Sequence, residues 1–170
     1  MSYKRLTPCI LDRSWKAVKW FDDRSVIARD VVALAKHLCR ARGGRTDRVR
    51  PVHIGMKIMK EAIDLMRKIN RFISIPMVAG GNIRREEDVK KYLYAGAKRA
   101  ILNFSKIAAQ EMLESVSKRF GKERIAVSLN DFDALFKQQH LIEEYASELI
   151  FMHRLDLDSV MNITSIPVWS

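Results

Sequence analysis

Ile75-Pro76-Met77-Val78-Ala79-Gly80-Gly81-Asn82-Ile83-Arg84, followed by Glu86-Glu87-Asp88-Val89, is the stretch that decides the fold. A short apolar run ends in two glycines and an asparagine, and a helix start rich in acids comes next. That order predicts a buried strand, a tight turn and a helix N-terminus aimed back at the strand end. Glycine lets a backbone approach a ligand closely, and free N–H groups at a helix start favour an anion. The stretch therefore reads as a phosphate cradle at the carboxyl end of a parallel strand. It reads equally as a βα turn that merely requires glycine, and the local pattern does not separate the two.

The units on either side follow the same logic. Strands are predicted at Lys4–Ile10, Phe72–Ala79, Arg99–Asn103, Arg124–Leu129 and Glu148–Met152, with another beginning at Ile166–Trp169. Ile107 to Phe120 has helical spacing, with Ile107, Met112, Leu113, Val116 and Phe120 on or near one face, and Gly121 stops it. Ile27 to His37 is a second amphipathic stretch, carrying Val31, Val32, Leu34 and Ala35. Strands and helices alternating through short connections imply parallel pairing.

The run from Ile75 to Asn130 resembles the histidine-biosynthesis (βα)8 barrels, namely the ProFAR isomerase and the cyclase subunit of imidazole glycerol phosphate synthase. The matching segments are IPMVAGGNIRREEDVKKYLYAGAKRAILNFS, SKRFGKERIAVSL and, near the start, KRLTPCIL with KAVKWF. The tail LNDFDALFKQQHLIEEYASELIFMHRLDLDSV looks more like the barrel-like N-terminal extension of fused phosphoribosyl-AMP cyclohydrolase/phosphoribosyl-ATP pyrophosphohydrolases. Residues 3–35 and 61–168 carry the likeness. It implies an α/β chain forming a partial TIM (βα)8 barrel of the ribulose-phosphate-binding type. That barrel is expected to be one domain over residues 1–170, incomplete at the C-terminus and disturbed at strand 2. A complete barrel of this type takes about 250 residues. The 170 here reach Ser170 inside what should be the seventh strand.

The bulk numbers narrow the function classes. Cys9 and Cys39 have no metal-ligand spacing, and no apolar run approaches the roughly 20 residues of a membrane span. A cytoplasmic, reduced protein with no membrane partner is the expectation, with Cys9 as a small core residue. The net charge of +11 invites a nucleic-acid reading. However, residues 38–60 hold seven basic side chains against Asp47 alone, a net +6 of that total, and lack the interleaved aromatics that single-strand binding favours. Nucleic acid is therefore not the expected partner.

Residues 38–60 sit where the second barrel strand belongs, yet show neither alternation nor an apolar run. With an allowed choice of codons, Leu38 to Val52 read one base later gives Tyr-Ala-Glu-Gln-Gly-Ala-Asp-Gly-Leu-Ile-Val-Tyr-Asp-Leu. That is a helix end, a turn and an apolar strand closing on an aspartate, as the resemblance requires. Met56 to Lys60, read from one base before its first codon, can give Asp-Glu-Asp-His-Glu. A frame-shifted stretch is the expectation for this segment. A genuine basic insertion and a loop without a role are the alternatives.

The resemblance also implies where chemistry should sit. The family's isomerase and cyclase use aspartates ending the first and fifth strands as a general acid and base, which works when two carboxylates hold different protonation states. Leu11 and Asn130 stand at those positions, each with an aspartate, Asp12 or Asp131, one residue late. A one-residue offset on a strand turns a side chain to the other face, and asparagine does not exchange a proton near neutral pH. Proton-transfer chemistry is thus expected to be lost. Gly80, Gly81 and Asn82 match the phosphate-side turn after the third strand, and Asn103 and Ser105 match the polar turn after the fourth. Together they could hold one phosphate of a phosphoribosyl-type small molecule. The family's second phosphate site lies on strands seven and eight. Lys19 matches a lysine near the cyclase active site and also reads as a surface lysine. His37, His53, His140 and His153 are scattered without ligand pairing, and no cofactor or metal is expected. Asp131-Phe132-Asp133 looks like a helix start, Tyr92 and Tyr94 like outer-layer residues, and Asp156 and Asp158 like part of a solvated loop. The other expected role is structural or regulatory support of a fused or associated cyclohydrolase/pyrophosphohydrolase domain, whose zinc-binding cysteines are absent from these residues.

Overall fold

Among the described residues, strands and helices follow one another through polar turns. The computed structural model describes residues 9–13, 16–18, 25–40, 50–53, 59–72, 76–151 and 164–169. The chain divides into two units, Met1–Asn82 with Tyr94–Lys98, and Ile83–Leu93 with Arg99–Ser170.

In the first unit the strands are β1 (Cys9–Arg13), β2 (Lys16–Val18), β3 (Val26–Ala28), β4 (Arg50–His53) and β5 (Val78–Gly80), and the helices are α1 (Val31–Arg40) and α2 (Met59–Asn70). The sheet order is β3-β2-β1-β4-β5. β1 and β4 run parallel, with Leu11 opposite Val52, and β4 is parallel to β5 through Val52 and Gly80. β1, β2 and β3 form an antiparallel meander. Asp30 opens α1 by accepting the N–H groups of Val32 at 2.9 Å and Ala33 at 3.0 Å. That is the N-cap role that short polar side chains fill well. α1 packs on α2, whose Ala62, Leu65, Met66 and Ile69 are buried.

Three expectations change here. The predicted helix over Ile27–His37 begins only at Val31, and Val26–Ala28 is a strand. Asp30 caps too well to lie inside a helix. The first strand runs on to Arg13, beyond the predicted end at Ile10, while residues 4–8 lie outside the described residues. Most significantly, Arg50–His53 is a strand between β1 and β5, filling the gap expected at strand 2. Ladder bonds are made by backbone groups, so an extended segment pairs without an apolar pattern. Pro51, opposite Ile10, contributes no N–H to that ladder.

The second unit holds β6 (Arg99–Asn103), β7 (Ile125–Leu129), β8 (Glu148–Phe151) and β9 (Val168–Trp169), with α3 (Glu86–Tyr94), α4 (Ile107–Phe120) and α5 (Phe132–Tyr145). The four strands pair in sequence order and all in parallel. β7 and β8 are buried at every position, as parallel strands covered on both faces are. α4 lies on β6 and β7 through Ala109, Met112, Leu113 and Val116, and α5 lies on β7 with Leu135 and Ile142 buried. Ile107, expected on the apolar face of α4, is 71% exposed at the helix start instead. Gly121 ends α4 at φ 93°, a backbone conformation open to glycine. The element order is the βα repeat of a partial TIM barrel.

Candidate functional site

The polar positions of interest follow the carboxyl ends of strands, and each can be traced to its turn. In the first unit, Gly80 is the buried last residue of β5, and Gly81 and Asn82 follow at φ 130° and 51°. Gly81 therefore occupies a region that a side chain would strain, and asparagine is the non-glycine residue that best tolerates left-handed backbone. Asn82 is exposed and Gly81 half-buried.

The start of α3 differs from the sequence expectation of free N–H groups. Asp88 Oδ2 accepts the N–H groups of Arg84 and Arg85, both at 3.2 Å, and Asp88 Oδ1 accepts from Lys91 Nζ at 3.3 Å. With Glu86 and Glu87 beside it, this helix start carries its own acidic side chains. Burial raises the Tyr92 phenol far above its ordinary value, and the Asp88 charge adds to the effect. Tyr92 is buried and Tyr94 exposed.

The second unit presents a contrasting turn. Asn103 ends β6 and is exposed, as is Ser105. Asn103 Oδ1 accepts the Ser105 N–H at 2.9 Å, Asn103 carbonyl accepts the Lys106 N–H at 3.0 Å, and the Phe104 N–H is donated to the Ser128 carbonyl at 2.9 Å. α4 then starts with Lys106 as its N-cap, with no side-chain cap and no acid in its first turn. Gln110 Nε2 donates to the Phe104 carbonyl at 2.6 Å, and Gln138 Nε2 of α5 donates to Gln110 Oε1 at 2.8 Å. These two glutamines left no sequence signal, because a polar residue on an amphipathic helix reads as solvent-facing.

The proton-transfer positions are differently placed. Asn130 is exposed directly after β7. Asp131 is the N-cap of α5, its Oδ1 accepting the Ala134 N–H at 2.8 Å, which matches the helix start expected there. Leu11 lies within β1, opposite Val18 and Val52, and Asp12 lies opposite Ala17 and His53. Lys19, His153, Asp156 and Asp158 lie outside the described residues. His37 and His140 are exposed on α1 and α5. Among the described residues no three of His, Cys, Asp or Glu are grouped to hold a metal ion, and no helix is long and apolar enough to cross a membrane.

Residues 6–155 match the histidine biosynthesis protein family. Imidazole glycerol phosphate synthase subunit HisF of Flavobacterium psychrophilum is 31% identical over 134 residues, covering 76% of this chain and 52% of that relative. The same subunit from Corynebacterium glutamicum (strain R) is 41% identical over 68 residues, 40% of this chain and 26% of the relative. The 1-(5-phosphoribosyl)-5-((5-phosphoribosylamino)methylideneamino) imidazole-4-carboxamide isomerase 1 of Photorhabdus laumondii is 41% identical over 68 residues, 40% of this chain and 28% of the relative. The matches thus span from about a quarter to about half of these relatives' lengths.

Proposed function

The chain belongs to the histidine biosynthesis protein family, and we propose that it binds the phosphate of a phosphoribosyl-type small molecule without itself performing isomerase or cyclase proton transfer. One contrast within the second unit carries this. α5 is closed by the Asp131 carboxylate, whereas α4, one strand earlier, opens with neither a side-chain cap nor an acid. The carboxylate beside Asn130 is therefore engaged in capping. The α4 start retains the positive end of its dipole next to the Asn103–Ser105 turn, and that end favours an anion. Asn103 Oδ1 meanwhile serves as the acceptor for the Ser105 N–H that a phosphate oxygen would replace. In the first unit, Gly80, Gly81 and Asn82 form a turn whose backbone a phosphate can approach closely. The proposed setting is the cytoplasm.

Titration with ribose 5-phosphate, followed through the backbone amide resonances, tests this proposal. The Ser105 and Lys106 amides should shift, and Ser105→Asp, which places a fixed negative charge at the turn, should abolish the response. Absence of binding, or binding indifferent to Ser105→Asp and to Gly81→Asp, would count against phosphate recognition. Turnover of a family substrate above background would overturn the loss of chemistry.

The resemblance of the tail from Leu129 to Val160 supports a second role, as a structural or regulatory module for a fused cyclohydrolase/pyrophosphohydrolase. DNA downstream of codon 170 that encodes zinc-ligand cysteines in the same frame would favour it.

A further inference from the structure

We propose that Gln138 and Gln110 are positioning residues that aim the Ser105 N–H at the bound phosphate. The inference rests on the phosphate reading of the Asn103–Ser105 turn. Gln110 Nε2 donates to the Phe104 carbonyl at 2.6 Å. That carbonyl and the Ser105 N–H belong to one peptide unit. Because the peptide is planar and trans, its C=O and N–H point in opposite directions. Fixing the oxygen onto the Gln110 carboxamide therefore turns the Ser105 N–H to the opposite side of the peptide, toward the acceptor that Asn103 Oδ1 supplies at 2.9 Å.

The direction of the chain is forced. A carbonyl only accepts, so Gln110 must present its NH2 to Phe104, which leaves Gln110 Oε1 as an acceptor. Gln138 must then present its own NH2, and it does so at 2.8 Å from across the α4–α5 contact. Flipping either carboxamide would bring two oxygens face to face. Gln138 Oε1 is left buried with no partner among the described residues. A buried acceptor without a donor is unfavourable, and it is accounted for here by the requirement that Gln138 face Gln110 with its donor. The two glutamines lie 28 positions apart, so the turn is oriented by a helix beyond the one it opens.

The experiment titrates inorganic phosphate into the full chain and into Gln110→Met, Gln138→Met and the double variant, following the Ser105 amide resonance. Methionine keeps length and helix propensity while removing the donor. Each single variant should weaken phosphate binding roughly three- to tenfold, as expected for the loss of one neutral hydrogen bond. The Ser105 resonance should also move before any phosphate is added. Because the two bonds act in series, the double variant should bind no more weakly than Gln110→Met alone, whereas independent losses of packing would multiply. Gln138→Glu, isosteric and unable to donate when ionised, is the second variant should Gln110→Met fail to fold, and it too should weaken binding. Variants that bind like the wild type, or losses that multiply, overturn the positioning role and leave phosphate recognition standing. A wild-type chain that does not respond to phosphate overturns both.

Discussion

Asp131 and Glu143 are carboxylates committed to the backbone, and their roles are separable by substitution and by pH. Asp131→Ala removes the acceptor of the Ala134 N–H. It should lower stability by about 1 kcal/mol in urea unfolding, the usual loss for a helix N-cap. Glu143 Oε1 accepts the Ser165 N–H at 2.7 Å, the Thr164 hydroxyl at 2.7 Å and the Ser165 hydroxyl at 3.2 Å. These bonds, the Ser165 N–H first and the Thr164 hydroxyl next, hold its carboxyl below the ordinary value of 4.5. A group whose pKa falls on folding stabilises fully above its unfolded value, and that contribution is lost as pH drops through the folded value. Amide protection at Ser165 and Ile166 should therefore be constant near neutrality and decline below pH 4.5. In Glu143→Gln it should be lower throughout and should lack the decline.

Among the elements, β6 and β8 are joined by a buried ion pair. Arg99 Nη1 lies 3.4 Å from Glu148 Oε1, with the two side chains 11% and 2% exposed. Arg99 Nε also donates to Ser147 Oγ at 3.0 Å. Arg99→Met removes one cation from beside a buried carboxylate and should lower stability measurably in urea unfolding. Arg99→Met with Glu148→Leu should recover most of that loss in the same denaturation assay. How legible each element was depends on burial. Arg99–Asn103 and Ile107–Phe120 were readable to the residue, because one has the apolar run Ala100-Ile101-Leu102 between polar ends and the other is stopped by Gly121. The β2–β3 hairpin was not readable. Val26 and Ile27 are 48% and 57% exposed, so apolar residues there do not mark a core face, and Ile27 extended a helical pattern that Asp30 interrupts. The turn residues Asn103 and Ser105 were legible as a polar strand end. The helix-borne glutamines behind them were not, because their partners are 6 and 28 positions away.

On the scale of the whole chain, the segment 38–60 remains the exception to the family pattern, and its origin is a question for the gene. If it is a shifted reading, single-base differences should lie near codons 38, 53 and 60 relative to an intact relative. The repaired chain should also lose the six net positive charges of that segment. Sequencing the locus decides this: the same unbroken codons in independent isolates would make the basic segment genuine. β4 has a further consequence. Arg50–His53 keeps its place between β1 and β5 through main-chain pairing. The fold thus sets a ruler length between α1 and α2 and is far less demanding about what is written along it. Three base changes of one sign alter the message by one codon, so the connection keeps its reach to within one strand residue, about 3.3 Å. A misread stretch can in this way lose its chemistry and still span the distance. By the same measure, a deletion of several codons in this stretch, even one leaving every base in frame, should disrupt the sheet more than the shift does.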